Sequence, residues 1–173
     1  MKTLRGLLIA LAAFLSGCTG HPDGVQPVTN FELSRYLGVW YEIARLDHSF
    51  ERGLSRVSAT YTLRQDGGID VLNRGFDQSS GRWKEAKGKA YFIDQPSVAS
   101  LKVSFFGPFY GGYHVIDLDK DNYSYALVCG PSRSYLWILA RERTLGRVTL
   151  QRLIDGARKA GFDTEGLILV DQK

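Results

Sequence analysis

The feature that most restricts the fold of this chain is the alternation of apolar and polar residues within short segments. In residues 56–64, Val57, Tyr61 and Leu63 fall on one face of an extended chain, and hydroxyl residues fall on the other. Such alternation indicates a half-buried β-strand. The eight predicted strands are residues 39–46, 56–64, 69–76, 87–93, 101–106, 113–118, 123–129 and 135–141. Turn sequences separate them at short spacing, which favours an all-β, antiparallel fold, either a sandwich or an eight-stranded up-and-down barrel.

One segment near the C-terminus has helical periodicity instead. Between residues 147 and 162, apolar residues such as Leu150, Leu153 and Ala157 recur near helical spacing. This pattern predicts one amphipathic helix whose apolar face lies against the outside of the sheet. Residues 167–170 then predict a short last strand at a sheet edge. With 173 residues and 44% hydrophobic content, the chain is long and apolar enough for a single folded domain.

The first seventeen residues have the composition of a signal peptide. Lys2 and Arg5 precede a nine-residue apolar run over residues 7–15, which is too short to span a bilayer as a helix. The following Leu15-Ser16-Gly17-Cys18 resembles a bacterial lipobox, which implies cleavage after residue 17 and acylation of Cys18. An ordinary secretory signal is the alternative. Removal of residues 1–17 lowers the formal charge from +4 to +2, because Lys2 and Arg5 are lost.

The residues after Cys18 suggest where the protein is held. Thr19 occupies the position where lipoproteins retained in the inner membrane often have Asp, so the resemblance favours the outer membrane, on its periplasmic side. Residues 18–29 contain Gly and Pro at intervals, and this composition predicts a flexible tether that lets the folded body stand off the bilayer.

Several chemistries are not supported by the sequence. The 22 Lys and Arg are interspersed with 18 Asp and Glu, so no basic run indicates nucleic-acid binding. His21, His48 and His114 lack metal-ligand spacing, and no cofactor is expected. Cys129 follows an apolar run and is predicted to be a buried, inert thiol. We find no nucleophile with a partnered base and no paired carboxylates, so catalytic residues are not predicted and the protein is not expected to be an enzyme.

The aromatic residues raise the question of a cavity. Eight strands can enclose either side chains alone or one small ligand. Six residues on predicted strands are candidates to face that interior: Tyr61, Phe92, Val103, Phe105, Tyr113 and Tyr125.

Two segments resemble motifs of the lipocalin family. Residues 30–44, with Gly38-Val39-Trp40 at their centre, resemble the first lipocalin motif, and residues 137–141 look like the third, which ends in Arg141. The resemblance implies a barrel over residues 30–173 whose closed end is plugged by Trp40, with the guanidinium of Arg141 on the indole. Asp121 matches the Asp of the middle motif, but Lys120 and Asn122 replace its Thr and Tyr, so this turn departs from the family pattern.

Two further stretches, residues 50–53 and 105–113, are similar to bacterial lipocalins of the outer-membrane lipoprotein branch. That resemblance implies reversible binding of lysophospholipids or fatty acids, for storage or transport, and a role in envelope maintenance under stress. Two alternatives remain open: a lipocalin for another hydrophobic ligand such as a tetrapyrrole, and an envelope interaction protein with a filled barrel. A homodimer is an open alternative to a monomer.

Two local features are left without an assigned role. Glu42 and Arg45 on the first strand predict a polar pair at the surface or rim, which needs no function. Residues 107–112 carry Phe109 and Tyr110 among Gly and Pro, and we expect these aromatics to cap the cavity, pack on the barrel or meet a partner.

Overall fold

The computed structural model describes residues 19–173, so the predicted signal peptide of residues 1–17 and Cys18 lie outside the described residues. Nine strands follow one another: β1 Gly38–Arg45, β2 Leu54–Leu63, β3 Ile69–Asp77, β4 Arg82–Phe92, β5 Ser100–Phe106, β6 Phe109–Leu118, β7 Tyr125–Cys129, β8 Leu136–Ala140 and β9 Ile168–Leu169. Within residues 19–173, two helices, α1 Leu33–Tyr36 and α2 Arg147–Lys159, and a 3₁₀ turn at Thr164–Gly166 complete the described elements.

The first eight strands form a closed antiparallel barrel. Each strand pairs with the next along the chain, β8 pairs with β1, and β1 pairs with β2, with Trp40 opposite Ala59. The predicted up-and-down barrel with one C-terminal helix is therefore confirmed, and the sandwich alternative is wrong. Closure leaves the edges of β1 to β8 paired with one another, which removes most unpaired backbone groups.

Apolar residues divide between two cores. One core lies inside the barrel and contains Trp40, Val115 and Val128, while the other lies between the outer wall and helix α2. Leu153 and Ala157 of α2 are fully buried in the outer core. The helix thus covers the barrel from outside, as the periodicity predicts, and it ends three residues earlier than predicted.

Two strands are longer than the sequence pattern predicts. β4 begins at Arg82 rather than residue 87, and its first six residues are exposed on both faces, so they show no apolar alternation. β6 begins at Phe109 rather than residue 113, because Phe106 and Phe109 pair across a tight turn. Both extensions lie at the same end of the barrel, where the hairpins β3–β4 and β5–β6 project.

The segment expected to be a flexible tether instead lies along the barrel wall. Val28 donates its backbone N–H to Val115 and accepts one from Ala99, and the side chain of Val25 is buried in the outer core. The Nε2 atom of His114 lies 2.8 Å from the carbonyl oxygen of Gly20. The prediction of a stand-off tether is therefore wrong for residues 19–29, because long-range backbone bonds hold a segment whose composition is that of a linker.

The C-terminal tail completes the wall where β1 and β2 separate. β1 pairs with β2 only over residues 38–41, and β9 pairs with its other half at Ala44 and Arg45. Beyond β9, the amide of Gln172 donates to the carbonyls of Glu42 (2.7 Å) and Val57 (2.9 Å). The tail is thus hydrogen-bonded to both strands. Across residues 19–173, no helix combines the length and apolar character needed to cross a membrane.

Candidate ligand-binding cavity

The barrel encloses a cavity of about 840 Å³. Its floor is formed by residues such as Phe31, just before helix α1, and Tyr36, the last residue of that helix. Its rim is formed by residues of the projecting hairpins, including Phe106 and Phe109. The wall between them is mostly apolar, with Val57, Ile69, Val71, Ala90, Leu101 and Leu139 among its residues. The arrangement is a container with one closed and one open end.

Four of the six predicted interior residues line this cavity: Tyr61, Val103, Phe105 and Tyr113. Phe92 points into the barrel but does not reach the cavity, since its ring packs 6.2 Å from that of Phe31 at the closed end. Its place among the lining residues is therefore corrected to a position in the floor.

The prediction that Tyr125 faces the cavity is wrong. Tyr125 packs in the outer core, with the guanidinium of Arg152 from helix α2 5.1 Å from its ring centroid. On the same strand Ala126 and Val128 face the barrel interior. Period-two alternation separates the two faces of a strand but does not say which face is inside, and here the small residues point inward.

The floor is closed by the predicted pair of Trp40 and Arg141. The Arg141 guanidinium lies 4.0 Å from the indole centroid, and the indole N–H donates to the Tyr36 carbonyl at 2.8 Å. Arg141 also donates to the carbonyls of Val39 (2.9 Å), Arg35 (2.7 Å) and Tyr123 (3.3 Å). Gly38 has φ +95, a conformation that favours glycine, and brings the chain close under this guanidinium. The predicted stack is present, and it is reinforced by backbone bonds.

The turn between β6 and β7 is organised by Asp119, not by Asp121. The carboxylate of Asp119 accepts from the backbone N–H groups of Asp121, Asn122 and Ser124. Asp121 contributes its carbonyl oxygen, which accepts from Arg35 at 2.7 Å. The likeness of Asp121 to the family's middle motif therefore does not extend to a structural role for its carboxylate.

Three tyrosine hydroxyls meet near the floor. The Tyr113 hydroxyl lies 2.7 Å from that of Tyr36 and 2.9 Å from that of Tyr61. Burial raises the pKa of each of the three, so all are neutral at physiological pH. No aromatic spacing in the sequence identifies Tyr36 as a member, because it comes from helix α1.

A buried polar cluster lies in the wall towards the open end, and it contains the pair that the sequence placed at the surface. Glu42 and Arg45 are both 3% exposed and are joined at 2.8 Å. Arg45 also donates to the carbonyl of Glu51, whose carboxylate accepts from the indole N–H of Trp137 at 3.0 Å. His48 Nε2 lies 3.1 Å from the same carboxylate. The interpretation of a surface pair is wrong because β1 bulges after Glu42 and turns Arg45 into the wall.

The two carboxyl groups of this cluster have opposite protonation tendencies. Burial, followed by the charge of Glu51, raises the pKa of Glu42 well above its ordinary value. Burial also acts to raise the pKa of Glu51, but the nearby imidazole of His48 and the hydrogen bond from Trp137 outweigh it and lower that pKa. Glu42 therefore holds a proton more readily than Glu51, and both line the cavity.

Other reactive groups lie away from the cavity. Burial raises the pKa of the Cys129 thiol to about 12, and this cysteine packs in the outer core. Within the part of the chain that the structure describes, no group of three or more His, Cys, Asp or Glu side chains is placed to hold a metal ion. The arrangement of the cavity suits binding of an apolar molecule.

A family profile described as a lipocalin-like domain matches residues 31–172. The chain belongs to the lipocalin family. It is 57% identical over 166 residues to outer membrane lipoprotein Blc of Vibrio cholerae, covering 96% of this chain and 97% of the relative. It is 53% identical to outer membrane lipoprotein Blc of Escherichia coli K12, covering 99% and 98%. The resemblance to bacterial lipocalins inferred from the residues is thus confirmed.

More distant lipocalins share the fold. Apolipoprotein D of Cavia porcellus is 31% identical over 183 residues, covering 96% of each chain. The cockroach allergen Per a 4 superposes with a TM-score of 0.69 at 19% identity, covering 90% of this chain and 96% of the other. Insecticyanin of the tobacco hornworm Manduca sexta gives 0.68 at 21% identity, covering 88% and 86%. These two structures support the fold alone. Lipocalins are binding proteins for hydrophobic ligands, and this lipocalin has a cavity of that kind.

Proposed function

We propose that this lipocalin binds single-chain lipids, lysophospholipids or fatty acids, and stores or carries them at the outer membrane as part of envelope maintenance under stress. The observation that carries the proposal is the apolar cavity of about 840 Å³, closed at the floor and open at the rim. Its volume falls in the range of about 300 to 1,000 Å³ that is usual for small-molecule sites. The alternative of a filled barrel is disfavoured by the same cavity.

The free energy of lipid transfer favours one acyl chain over two. Burial of each CH₂ group contributes about 0.8 kcal/mol, whether the group is buried in a protein or in a bilayer. A two-chain phospholipid therefore loses about twice as much free energy of acyl-chain burial when it leaves the membrane. The cavity, moreover, is a single channel that suits one chain. A lysophospholipid or fatty acid leaves more readily and can be accommodated as one chain.

The location of the protein is the outer membrane, as for the relatives that are 53–57% identical. The proposed mechanism of attachment is removal of residues 1–17 and acylation of Cys18, with residues 30–173 forming the lipocalin domain on the periplasmic side. More than one acyl chain on Cys18 would hold the protein stably, since a single chain gives only marginal binding. Residues 19–29 join this anchor directly to the barrel wall.

A tetrapyrrole ligand is less well supported. Among the described residues that line the cavity there is no His, Cys or Met side chain to contact a haem iron. The hydroxyls of Tyr61 and Tyr113 are already hydrogen-bonded to one another. A titration with haem that gives a saturable visible absorbance shift would favour this ligand over a lipid.

The proposal is tested by adding 1-palmitoyl lysophosphatidylethanolamine or palmitate to delipidated protein and recording native mass spectra and isothermal titration calorimetry. We expect one lipid per chain at micromolar concentration. Val103→Trp, which fills the cavity, should weaken binding at least tenfold, whereas Lys102→Trp on the neighbouring outward position should not. No complex of the unaltered protein with either lipid would contradict the proposal.

A further inference from the structure

Aromatic side chains are exposed together at the open end of the barrel. Phe106 and Phe109, at the tip of the β5–β6 hairpin, are 81% and 78% exposed, and Phe50, between β1 and β2, is 61% exposed. Trp83 on the β3–β4 hairpin is 44% exposed. We call these four residues the rim aromatics. They come from three separate connections of the chain, so their exposure is a property of this end and not of one loop.

The closed end has a different character. Its connections expose polar groups such as Arg35, Asp66 and Lys120, and the apolar residues exposed there, such as Leu63, are aliphatic and not aromatic. Isolated apolar residues are common on protein surfaces, but a cluster of large aromatics at one end indicates a surface that meets an apolar partner.

The N-terminal segment starts close to the rim aromatics. A Cβ atom on Gly112 would lie 2.7 Å from the carbonyl oxygen of Gly20 and 3.0 Å from that of Thr19, so these residues touch β6 there. Gly112 is three residues from Phe109 along the strand, which corresponds to about 10 Å. Cys18 is bonded directly to Thr19. An acyl anchor on Cys18 would therefore enter the membrane beside the open end, and residues 20–28 would not act as a free spacer.

We propose that the open end of the barrel docks on the bilayer that holds the anchor, with the rim aromatics in the interfacial region and the cavity facing the lipids. This inference rests on the proposed acylation of Cys18 and goes beyond it by fixing the orientation of the barrel. Trp is enriched at the membrane–water interface, and Trp and Phe are typical of protein faces that lie in it with their apolar side towards the acyl chains. A single-chain lipid would then pass between bilayer and cavity without crossing water.

The orientation is tested with the full-length acylated protein in vesicles of phosphatidylethanolamine and phosphatidylglycerol (3:1) containing a phospholipid brominated on its acyl chains. A tryptophan replaces Phe109 at the rim in one variant and Leu63 in the matched control. Leu63 ends β2 at the opposite end of the barrel and is 56% exposed. We expect bromine to quench the fluorescence added by Phe109→Trp and to leave that added by Leu63→Trp unchanged. Equal quenching of both, or quenching only at residue 63, would overturn the proposal.

A second measurement separates docking from lipid binding. Trp83 is the rim aromatic that does not line the cavity. Trp83→Asp should therefore slow transfer of lysophosphatidylethanolamine from vesicles to the protein at least fivefold, while its affinity for monomeric lysolipid in solution stays within twofold. If the unaltered protein binds no lysolipid, the proposed function fails, and the quenching result still decides the orientation. If the added fluorescence is not quenched and the double variant Phe106→Asp with Phe109→Asp instead abolishes a dimer of the unaltered protein, the rim aromatics contact a second copy and docking is refuted.

Discussion

At the scale of single residues, the closed end depends on the shape of Arg141 as well as on its charge. The guanidinium stacks on Trp40 and reaches three backbone carbonyls at once. Only a planar group with several N–H donors can make these contacts together. For Glu42, in contrast, the charge itself is unfavourable, because burial raises the pKa of its carboxyl group.

Arg141→Lys should therefore destabilise the barrel although the charge is kept. The ammonium group cannot reach the carbonyls of both Val39 and Arg35 while it lies on the indole, and unsatisfied carbonyls cost about 1 to 3 kcal/mol. We expect a fall of that size in the free energy of unfolding measured in urea. Arg143→Lys, at an exposed arginine stacked on Tyr41, is the control and should change it by less than about 0.5 kcal/mol. Equal effects of the two changes would refute this account.

The raised pKa of Glu42 makes stability depend on pH. The Glu42 carboxyl group binds its proton more tightly in the folded protein than in the unfolded chain. The free energy of unfolding therefore falls as the pH rises from the ordinary pKa of glutamate towards the raised pKa of Glu42. Glu42→Gln has no proton to lose and keeps an oxygen acceptor for Arg45. We expect urea denaturation between pH 5 and 8 to show a flatter pH profile for Glu42→Gln than for the unaltered protein.

Two further variants check the cause of this pH dependence. Glu142→Gln, at an exposed position, should leave the profile unchanged. Glu42→Ala removes the carboxyl partner of the buried Arg45 and leaves this guanidinium only backbone carbonyls as acceptors. The loss of one partner of a buried pair costs about 3 to 5 kcal/mol. A steep profile retained in Glu42→Gln would show that another group carries the proton.

The positions of some floor and wall residues can be predicted from the sequence, and those of others cannot. Trp40 and Arg141 could be predicted because each lies in a recognisable motif. The outward direction of Tyr125 could not be predicted, because alternation does not distinguish the inner from the outer face of a strand. The burial of Glu42 and Arg45 could not be predicted, since it depends on a bulge in β1 and on the contact with Glu51 from another loop.

At the scale of elements, helix α2 and the N-terminal segment both lie on the outer wall, but they are held differently. The helix is held by apolar side chains of the outer core. The N-terminal segment is held mainly by backbone hydrogen bonds to Val115 and Ala99 and by the close approach to Gly112. Helical periodicity predicts the first arrangement. Long-range backbone pairing has no signature in composition, which is why residues 19–29 resemble a tether.

The docking of α2 is tested by removing one buried side chain. Leu153 lies on the inner face of α2 and is fully buried against the barrel wall. Leu153→Ala should therefore lower the free energy of unfolding by about 2 to 5 kcal/mol, because apolar burial is lost and a cavity is created. Val148 lies on the same helix but is exposed, and Val148→Ala should have little effect. Chemical denaturation of both variants gives the comparison, and a loss below 1 kcal/mol for Leu153→Ala would contradict the packing described.

The attachment of the N-terminal segment is tested at adjacent glycines. A Cβ atom at Gly112 would lie 2.6 Å from His114 Nε2 and 2.7 Å from the Gly20 carbonyl, whereas at Gly111 it would meet nothing within 4 Å. Gly112→Ala should therefore displace residues 19–22 and cost about 1 to 3 kcal/mol of stability. Hydrogen–deuterium exchange should increase in that segment for Gly112→Ala and not for Gly111→Ala. Unchanged exchange in both variants would mean that the segment is not held at this point.

At the scale of the whole molecule, the barrel is tightly packed towards its closed end and hollow towards its open end. Strand number, antiparallel order and the outer helix could be predicted because each depends on local periodicity and short connections. The cavity could not, because eight strands permit both a filled and a hollow interior. Which of the two occurs depends on how inward side chains from different strands meet, as Tyr36, Tyr61 and Tyr113 do.

The last residues of the chain have a consequence for the integrity of the container. The amide of Gln172 bridges β1 and β2 by donating to the carbonyls of Glu42 and Val57, and the backbone carbonyl of Asp171 accepts from the backbone N–H of Arg56. A protein shortened by residues 171–173 would lose this bridge and gain a lateral slit at the height of Glu42. We expect faster amide exchange at Arg56 and faster escape of a loaded lipid than in the unaltered protein. If the shortened protein retains the lipid as long as the unaltered protein does, β1 and β2 close the gap without residues 171–173. Faster escape would show that these residues seal the side of the barrel, so that lipid leaves the intact protein only through the open end.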